Sequence, residues 1–207
     1  MSLAGSILEY YDNDKQIPLY GFGGKYFQEV NHCFALNGDI FKPEVAGING
    51  VLQTYQKVLS RGVELWGPTH FSDVIKQTRE YCQHIKKTQA SRLKYTILLI
   101  LTDGEVTDEQ DTIEELVAAS DLPLSIVIVG IGPSEFGKME RLDADREPLV
   151  SKKGVSQKRD YVQFVNFRKH ASNMESLQKE VLKEIPKQLS DYYQSMNLSP
   201  SKSPSPP

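Results

Sequence analysis

Ile97-Leu98-Leu99-Ile100-Leu101-Thr102-Asp103-Gly104 is a run of five aliphatic residues that ends in a hydroxyl, a carboxylate and a glycine. Its apolar part is short and has no polar face, which is the pattern of a strand covered on both sides, as in a parallel sheet. Leu124-Ser125-Ile126-Val127-Ile128-Val129 reads the same way. Both are expected to be central strands. Between them, Glu109 to Ser120 carries Ile113, Leu116 and Val117 at helical spacing, with acidic residues in the first turn where the helix dipole favours them. Strand, helix, strand is a crossover unit, and crossovers join parallel strands.

The alternation extends outward. Helices are predicted near Leu3 to Tyr11, Val45 to Leu59 and Phe71 to Lys86, with strands near Pro18 to Phe22 and Asn31 to Leu36. A strand near Tyr161 to Val165 and a helix from about Asn173 to Tyr193 complete the series. The expected fold class is α/β, doubly wound, with a mostly parallel sheet flanked by helices. A chain of 207 residues, 39% hydrophobic and 25% charged, fits one substantial core more easily than two. The expected division is a folded domain over 1–196 and a disordered Ser/Pro-rich tail over 197–207, because the tail offers no apolar side chains beyond proline rings to offset the entropy of ordering it. Its three Ser-Pro steps read either as a solvated terminus or as phosphoacceptors for a proline-directed kinase.

Composition narrows function. A formal net charge of −3 gives no electrostatic reason to expect nucleic acid or an anionic membrane as a direct partner. Cys33 and Cys82 stand far apart and outside any Cys-x-x-Cys arrangement, so neither a disulfide framework nor a thiolate zinc site is indicated. Tyr95 to Leu101 is too short to span a bilayer, and Met1 to Tyr10 lacks the flank and core of a secretory signal. A soluble, cytoplasmic protein is expected.

In a doubly wound sheet the chemistry lies beyond the carboxyl ends of the strands. Two loops stand out there. Asp103, at the end of the most apolar strand, could hold a hard cation directly or through water, or could cap the following turn. Thr69, in Leu65-Trp66-Gly67-Pro68-Thr69-His70-Phe71, places a hydroxyl just before a helix, as a ligand or as that helix's N-cap.

Taken together and in order, these segments resemble the von Willebrand factor A domain of the copine family. The Gly67-Pro68-Thr69 loop, Leu99-Ile100-Leu101-Thr102-Asp103-Gly104 and Leu124-Ser125-Ile126-Val127-Ile128-Val129-Gly130-Ile131-Gly132 carry the likeness. Tyr11-Asp12-Asn13-Asp14-Lys15, Tyr20-Gly21-Phe22-Gly23, Ala46-Gly47-Ile48-Asn49-Gly50, Arg159-Asp160-Tyr161-Val162-Gln163-Phe164-Val165 and Glu184-Ile185-Pro186 support it. The resemblance covers nearly everything from Ile7 to Tyr193.

It implies a metal-ion-dependent adhesion site, in which three loops hold one cation and a partner's carboxylate completes the coordination. Thr69 matches the second loop and Asp103 the third. The first, Asp-x-Ser-x-Ser after the first strand, has no match, and that central strand is expected to be missing, leaving strand edges open. The implied cofactor is a divalent cation, Mg²⁺ or Mn²⁺ in preference to Ca²⁺, bound weakly or not at all by this chain. The implied function is a non-enzymatic protein-protein interaction module that recruits intracellular proteins. In the full-length family it is coupled to calcium-dependent phospholipid binding, which gives peripheral plasma-membrane association. No nucleic acid and no direct membrane insertion are expected; the lipid-binding domains are not in this chain, and oligomers are expected from the open edges.

Other motifs read less sharply. Asp143 and Asp145 lack the Gly turn and later Glu of an EF-hand and read as a solvated acidic turn. Lys152, Lys153, Lys158 and Arg159 read as part of an exposed face. Gly21-Phe22-Gly23-Gly24-Lys25 departs from a phosphate loop at Leu19 and Tyr26, and Gly132-Pro133-Ser134-Glu135-Phe136 from a nucleophile elbow at Phe136. His32, His70, His84 and His170 share no metal spacing. The alternatives carried forward are a nucleotide-binding enzyme of the doubly wound class, which lacks its glycine fingerprint, and the copine-like part of a ubiquitin ligase, whose zinc ligands the tail lacks.

Overall fold

The computed structural model describes residues 12, 14–26, 29–88, 94–145 and 147–197. The expected helix near Leu3 to Tyr11 and most of the Ser/Pro tail lie outside them. Along the chain run β1 (Gln16–Pro18), β2 (Tyr20–Gly21), β3 (Gly24–Tyr26), β4 (Glu29–Asn31), β5 (Phe34–Ala35), β6 (Glu44–Ala46) and α1 (Gly47–Ser60). There follow β7 (Glu64–Leu65), α2 (Ser72–Thr88), β8 (Thr96–Thr102), α3 (Glu109–Ala119), β9 (Leu124–Gly130), α4 (Gly137–Leu142), β10 (Val162–Asn166), α5 (Phe167–His170), α6 (Met174–Leu182) and α7 (Ile185–Ser195).

The centre is a parallel sheet in the order β10-β9-β8, with β9 paired on both edges. Side chains alternate across its faces, which divides the core in two. Ile126 and Ile128 of β9 join Ile100, Val74, Ile75, Ile113 and Leu116 in one cluster under α2 and α3. Val127 and Val129 join Val165, Leu177, Val181 and Ile185 in the other, under α6 and α7, with Ile97, Leu99 and Leu101 packed against it. This two-faced burial is why both runs are apolar throughout, and it is the α/β architecture of a von Willebrand factor A-like fold. Every residue of β9 is buried, whereas most of β8 is only partly so. Among the described residues β8 pairs with β9 alone, and no described strand lies on its other edge.

The N-terminal strands depart from expectation. The segments near Pro18 to Phe22 and Asn31 to Leu36 do not join the parallel sheet: β2 pairs antiparallel with β5, and β3 with β4 and β7. A parallel crossover needs about a dozen residues, more than separate these segments, so the chain turns back locally. The helix expected from about Asn173 to Tyr193 is also broken, into α6 and α7, with Pro186 in the first turn of α7. Proline has no N–H to donate and fits the start of a helix better than its middle.

No described helix is long and apolar enough to cross a membrane. Both cysteines are free, Cys33 partly and Cys82 fully buried.

Candidate functional site

β8 delivers Thr102, Asp103 and Gly104 to its carboxyl end. Thr102 Oγ1 donates to the Gly104 carbonyl at 2.9 Å and shapes the turn, while Ile131 N–H donates to the Thr102 carbonyl at 2.7 Å and ties the turn to the end of β9. Ser134 Oγ donates to the Asp103 carbonyl at 2.7 Å. The Asp103 side chain is exposed and meets no hydrogen-bond or ion-pair partner among the described residues.

The Thr69 loop closes onto the same end. Thr107 donates to the Thr69 carbonyl through both its N–H, at 2.9 Å, and its hydroxyl, at 2.8 Å. A methyl group placed at Gly104 would lie 3.1 Å from Thr69 Oγ1, so the glycine is what lets the hydroxyl come so close to the residue after Asp103. The Thr69 hydroxyl thus lies beside Gly104, the residue that follows Asp103.

The cap at the start of α2 that Thr69 could have supplied comes from another residue. Asp108 accepts from the backbone N–H of Phe71 at 3.0 Å and of Ser72 at 2.9 Å, at the start of α2, and from Thr112 Oγ1 at 3.1 Å. Burial would raise this carboxyl, but the hydrogen bonds from Ser72 and Phe71 prevail and hold it below the usual carboxylate range. Asp108 therefore clamps the Thr69 loop and α2 to the start of α3. Its sequence neighbours do not reveal this clamp, since the two backbone partners at α2 are 36 and 37 residues away. Asp108→Ala is expected to cost about 2 kcal/mol, because it leaves two helix N–H groups uncapped in a partly buried place. A carboxylate held low stabilises the fold above its unfolded value and ceases to do so as pH falls through the folded one. The loss on mutation, read by urea unfolding, should accordingly shrink in acid.

His32 and His70 lie beside this region with ring centroids 4.2 Å apart. Sequence spacing hides the pairing. Burial and the neighbouring His70 both depress His32, whose Nδ1 is buried without a partner. Gly21 and Gly24, the would-be phosphate loop, lie in short antiparallel strands and precede no helix.

The acidic turn expected to be solvated is so at Asp145, which is exposed, whereas Asp143 is partly buried. Asp143, Asp145 and Glu184 bring carboxylate oxygens within 4.8 Å of one another. Asp143 Oδ1 is buried without a partner. Ala144, between the aspartates, has φ +58°, a left-handed conformation that reverses the chain locally. Burial, then Asp145 and Glu184, push Asp143 up to about 8, and burial followed by Asp160 and Asp145 raises Glu184. Glu184 stands just before α7, 39 positions beyond Asp145, so only the fold reveals the trio, which could hold a divalent cation. A carboxyl raised from 3.8 to about 8 binds its proton more tightly in the native state, so its contribution is complete below about pH 4 and is lost as pH rises towards 8. Asp143→Asn is expected to gain on the wild type over that window in melting temperature. Parallel melting curves would show that Asp143 does not carry the effect.

Glu184 also belongs to a buried polar seam. Ser125 Oγ donates to Gln188 Oε1 at 2.6 Å, Gln188 Nε2 donates to Glu184 Oε2 at 3.2 Å, and Tyr95 Oη lies 2.8 Å from Ser125 Oγ.

The basic group divides. Lys152 pairs with Asp111 at 3.0 Å and Lys158 with Asp121 at 3.1 Å, both at the surface, and Lys153 is exposed. Arg159 does not share that face. Its Nη2 donates to the carbonyls of Leu122, at 2.6 Å, and Leu124, and its guanidinium stacks 4.9 Å from Tyr161 and 5.4 Å from Tyr192. A cation among tyrosines and buried carbonyls is a packing element.

Comparison with known proteins agrees with the fold. The Copine family model matches residues 1–201. Copine-C of Dictyostelium discoideum is 45% identical over 201 residues, which cover 95% of this chain and 36% of that protein. Copine-E of the same organism is 47% identical over 199 residues, 95% of this chain and 33% of the relative. The chain thus spans about a third of the length of these two relatives. With a family model across almost its whole length and this degree of identity, the chain belongs to the copine family.

Proposed function

We propose that this chain is a non-enzymatic interaction module that captures partner proteins at the face around Thr69 and Asp103, with help from a weakly held divalent cation. The supporting observation is that the Thr69 hydroxyl packs beside Gly104, the residue after Asp103, whose exposed carboxylate has no partner among the described residues. One carboxylate and one hydroxyl suit a hard cation that keeps most of its water, hence Mg²⁺ or Mn²⁺ in preference to Ca²⁺, and they hold it weakly. The partners are intracellular proteins. Calcium-driven attachment to phospholipid and peripheral association with the plasma membrane belong, in this reading, to other domains of longer copines.

The test is thermal unfolding and calorimetry with Mg²⁺, Mn²⁺ and Ca²⁺ on the wild type, Asp103→Ala, Thr69→Ala and Asp143→Asn. A cation that binds only the native state raises its stability with occupancy. The expected result is a small stabilisation with a midpoint of about 1 mM or weaker, lost in Asp103→Ala and kept in Asp143→Asn. The reverse pattern would put the cation at the Asp143, Asp145 and Glu184 trio and refute the role given to Asp103.

A further inference from the structure

Where the chain approaches β10 it borders a cleft of about 340 Å³ whose lining includes Ala144, Asp145, Glu147, Pro148, Gln157 and Asp160. The strands of the central sheet are parallel, so Asp160 stands before the amino end of β10, whereas Asp103 follows the carboxyl end of β8. Asp145, Glu147 and Asp160 are exposed, and none of them forms an ion pair among the described residues. The cations around them are engaged elsewhere. Lys158 pairs with Asp121 at 3.1 Å, Lys183 with Glu180 at 3.2 Å and Lys187 with Asp191 at 2.7 Å, while Arg159 Nη2 donates to the Leu122 and Leu124 carbonyls. Exposed carboxylates alone would be ordinary surface, but the cleft also holds a buried acceptor. Gln157 is only 8% exposed, and its N–H donates to the Leu149 carbonyl at 2.8 Å. Its Nε2 donates to the Arg159 carbonyl at 2.6 Å, which identifies Oε1 as the other end of the amide, buried and without a partner.

A buried amide oxygen with no donor is costly to leave so, and a ligand that supplies the donor recovers that cost. Apart from Arg159 Nε, the unpaired groups that line the cleft are acceptors, so the ligand that suits them is positive and rich in N–H donors. The size of the cleft separates the candidates. A bare metal ion needs several oxygens about one point, whereas about 340 Å³ admits a whole side chain. An ammonium offers three donors from one atom; a guanidinium spreads five over a planar fork and can reach several acceptors at once. We infer that this cleft docks an arginine side chain of a partner protein, the guanidinium meeting Asp145, Glu147 and Asp160 and turning one N–H to Gln157 Oε1, while its apolar stem lies along Ala144 and Pro148. The inference does not rest on the cation-assisted reading proposed above, because none of its residues belongs to the Thr69 and Asp103 face.

The probe is a fluorescently labelled peptide of alternating arginine and serine, followed by anisotropy with the 207-residue chain in EDTA, so that no metal site takes part. One control peptide carries citrulline, which keeps the shape of arginine without its charge, and another carries lysine. The expected result is saturable binding that is at least about tenfold weaker for citrulline and about threefold weaker for lysine. Asp145→Asn and Glu147→Gln, both at exposed positions, should each weaken the arginine peptide about fivefold, and Gln157→Met should weaken it as well. Glu64→Gln, an equal change of charge on β7, should leave binding unchanged. Unchanged melting temperatures verify that the surface variants fold, and they suffice for the test if Gln157→Met does not. The inference is overturned if Glu64→Gln weakens binding as much as the cleft variants do, since that is attraction to net charge alone. Equal affinity for the lysine or citrulline peptide overturns it too, as does no saturable binding up to about 1 mM peptide. Asp103→Ala should bind the arginine peptide like the wild type; a loss there would move the peptide to the other face and refute the cleft.

Discussion

Replacing Arg159 with methionine is expected to lower the unfolding free energy by about 3 kcal/mol and the melting temperature by roughly 10 °C. The methionine keeps much of the apolar stem, so the loss comes from the guanidinium. Without it, the Leu122 and Leu124 carbonyls, on residues 3% and 0% exposed, lose a charged donor, and Tyr161 and Tyr192 lose the cation stacked against them. Leu124 retains a hydrogen bond from Tyr95 at 3.1 Å, which keeps the loss from being larger. Arg159→Lys restores the charge but not the planar fork that reaches two carbonyls at once, and should recover less than half. Denaturant unfolding of the three proteins checks this, and a methionine variant as stable as the wild type would mean that water replaces the guanidinium without loss.

The second large effect concerns the edge of β8 that no described strand covers. All five residues from Ile97 to Leu101 are aliphatic, and the strand has no charge, proline or bulge of the kind that normally guards an edge. The 207-residue polypeptide on its own is expected to self-associate, with an apparent mass that rises with concentration in size-exclusion chromatography with light scattering. Fusing an added strand able to pair with that edge should return it to a monomer. Each ladder hydrogen bond contributes about 1 kcal/mol net, and cover for the partly exposed Ile97, Leu99 and Leu101 adds to that. Several kcal/mol of added stability is expected, on the scale of the roughly 5–15 kcal/mol of a whole domain. A monodisperse 207-residue monomer, no less stable than the fused protein, would show that the edge is already protected.

What could be read in advance depended on how far apart the cooperating residues lie. The strands at Thr96–Thr102 and Leu124–Gly130 and the helix between them were legible because burial on two faces leaves an unbroken apolar run, a signal contained within each segment. Thr69 and Asp103 stood out because strand ends in this architecture are where loops gather. The strands at Gly24–Tyr26, Glu29–Asn31 and Glu64–Leu65 were missed, being too short to show a period of two. Arg159 was placed with its lysine neighbours because charge is visible in a sequence and the tyrosines and carbonyls that enclose it are not. Asp108 and the Asp143, Asp145 and Glu184 trio could not be found locally, since each depends on partners more than 35 positions away. The break before α7 had a visible cue in Pro186, which a single long helix ignores.

The polar seam from Tyr95 through Ser125 and Gln188 to Glu184 has a consequence for how this protein can change over time. Ser125 is 0% and Gln188 4% exposed, so water cannot readily step in for a lost partner. Altering Ser125 alone leaves Gln188 Oε1 without its donor, and altering Gln188 alone leaves Ser125 Oγ with Tyr95 only, whereas replacing both by apolar residues of matching shape can be nearly neutral. The two positions, 63 residues apart, are therefore bound into one heritable unit, and among descendants of this chain they should be exchanged as a pair or kept as a pair.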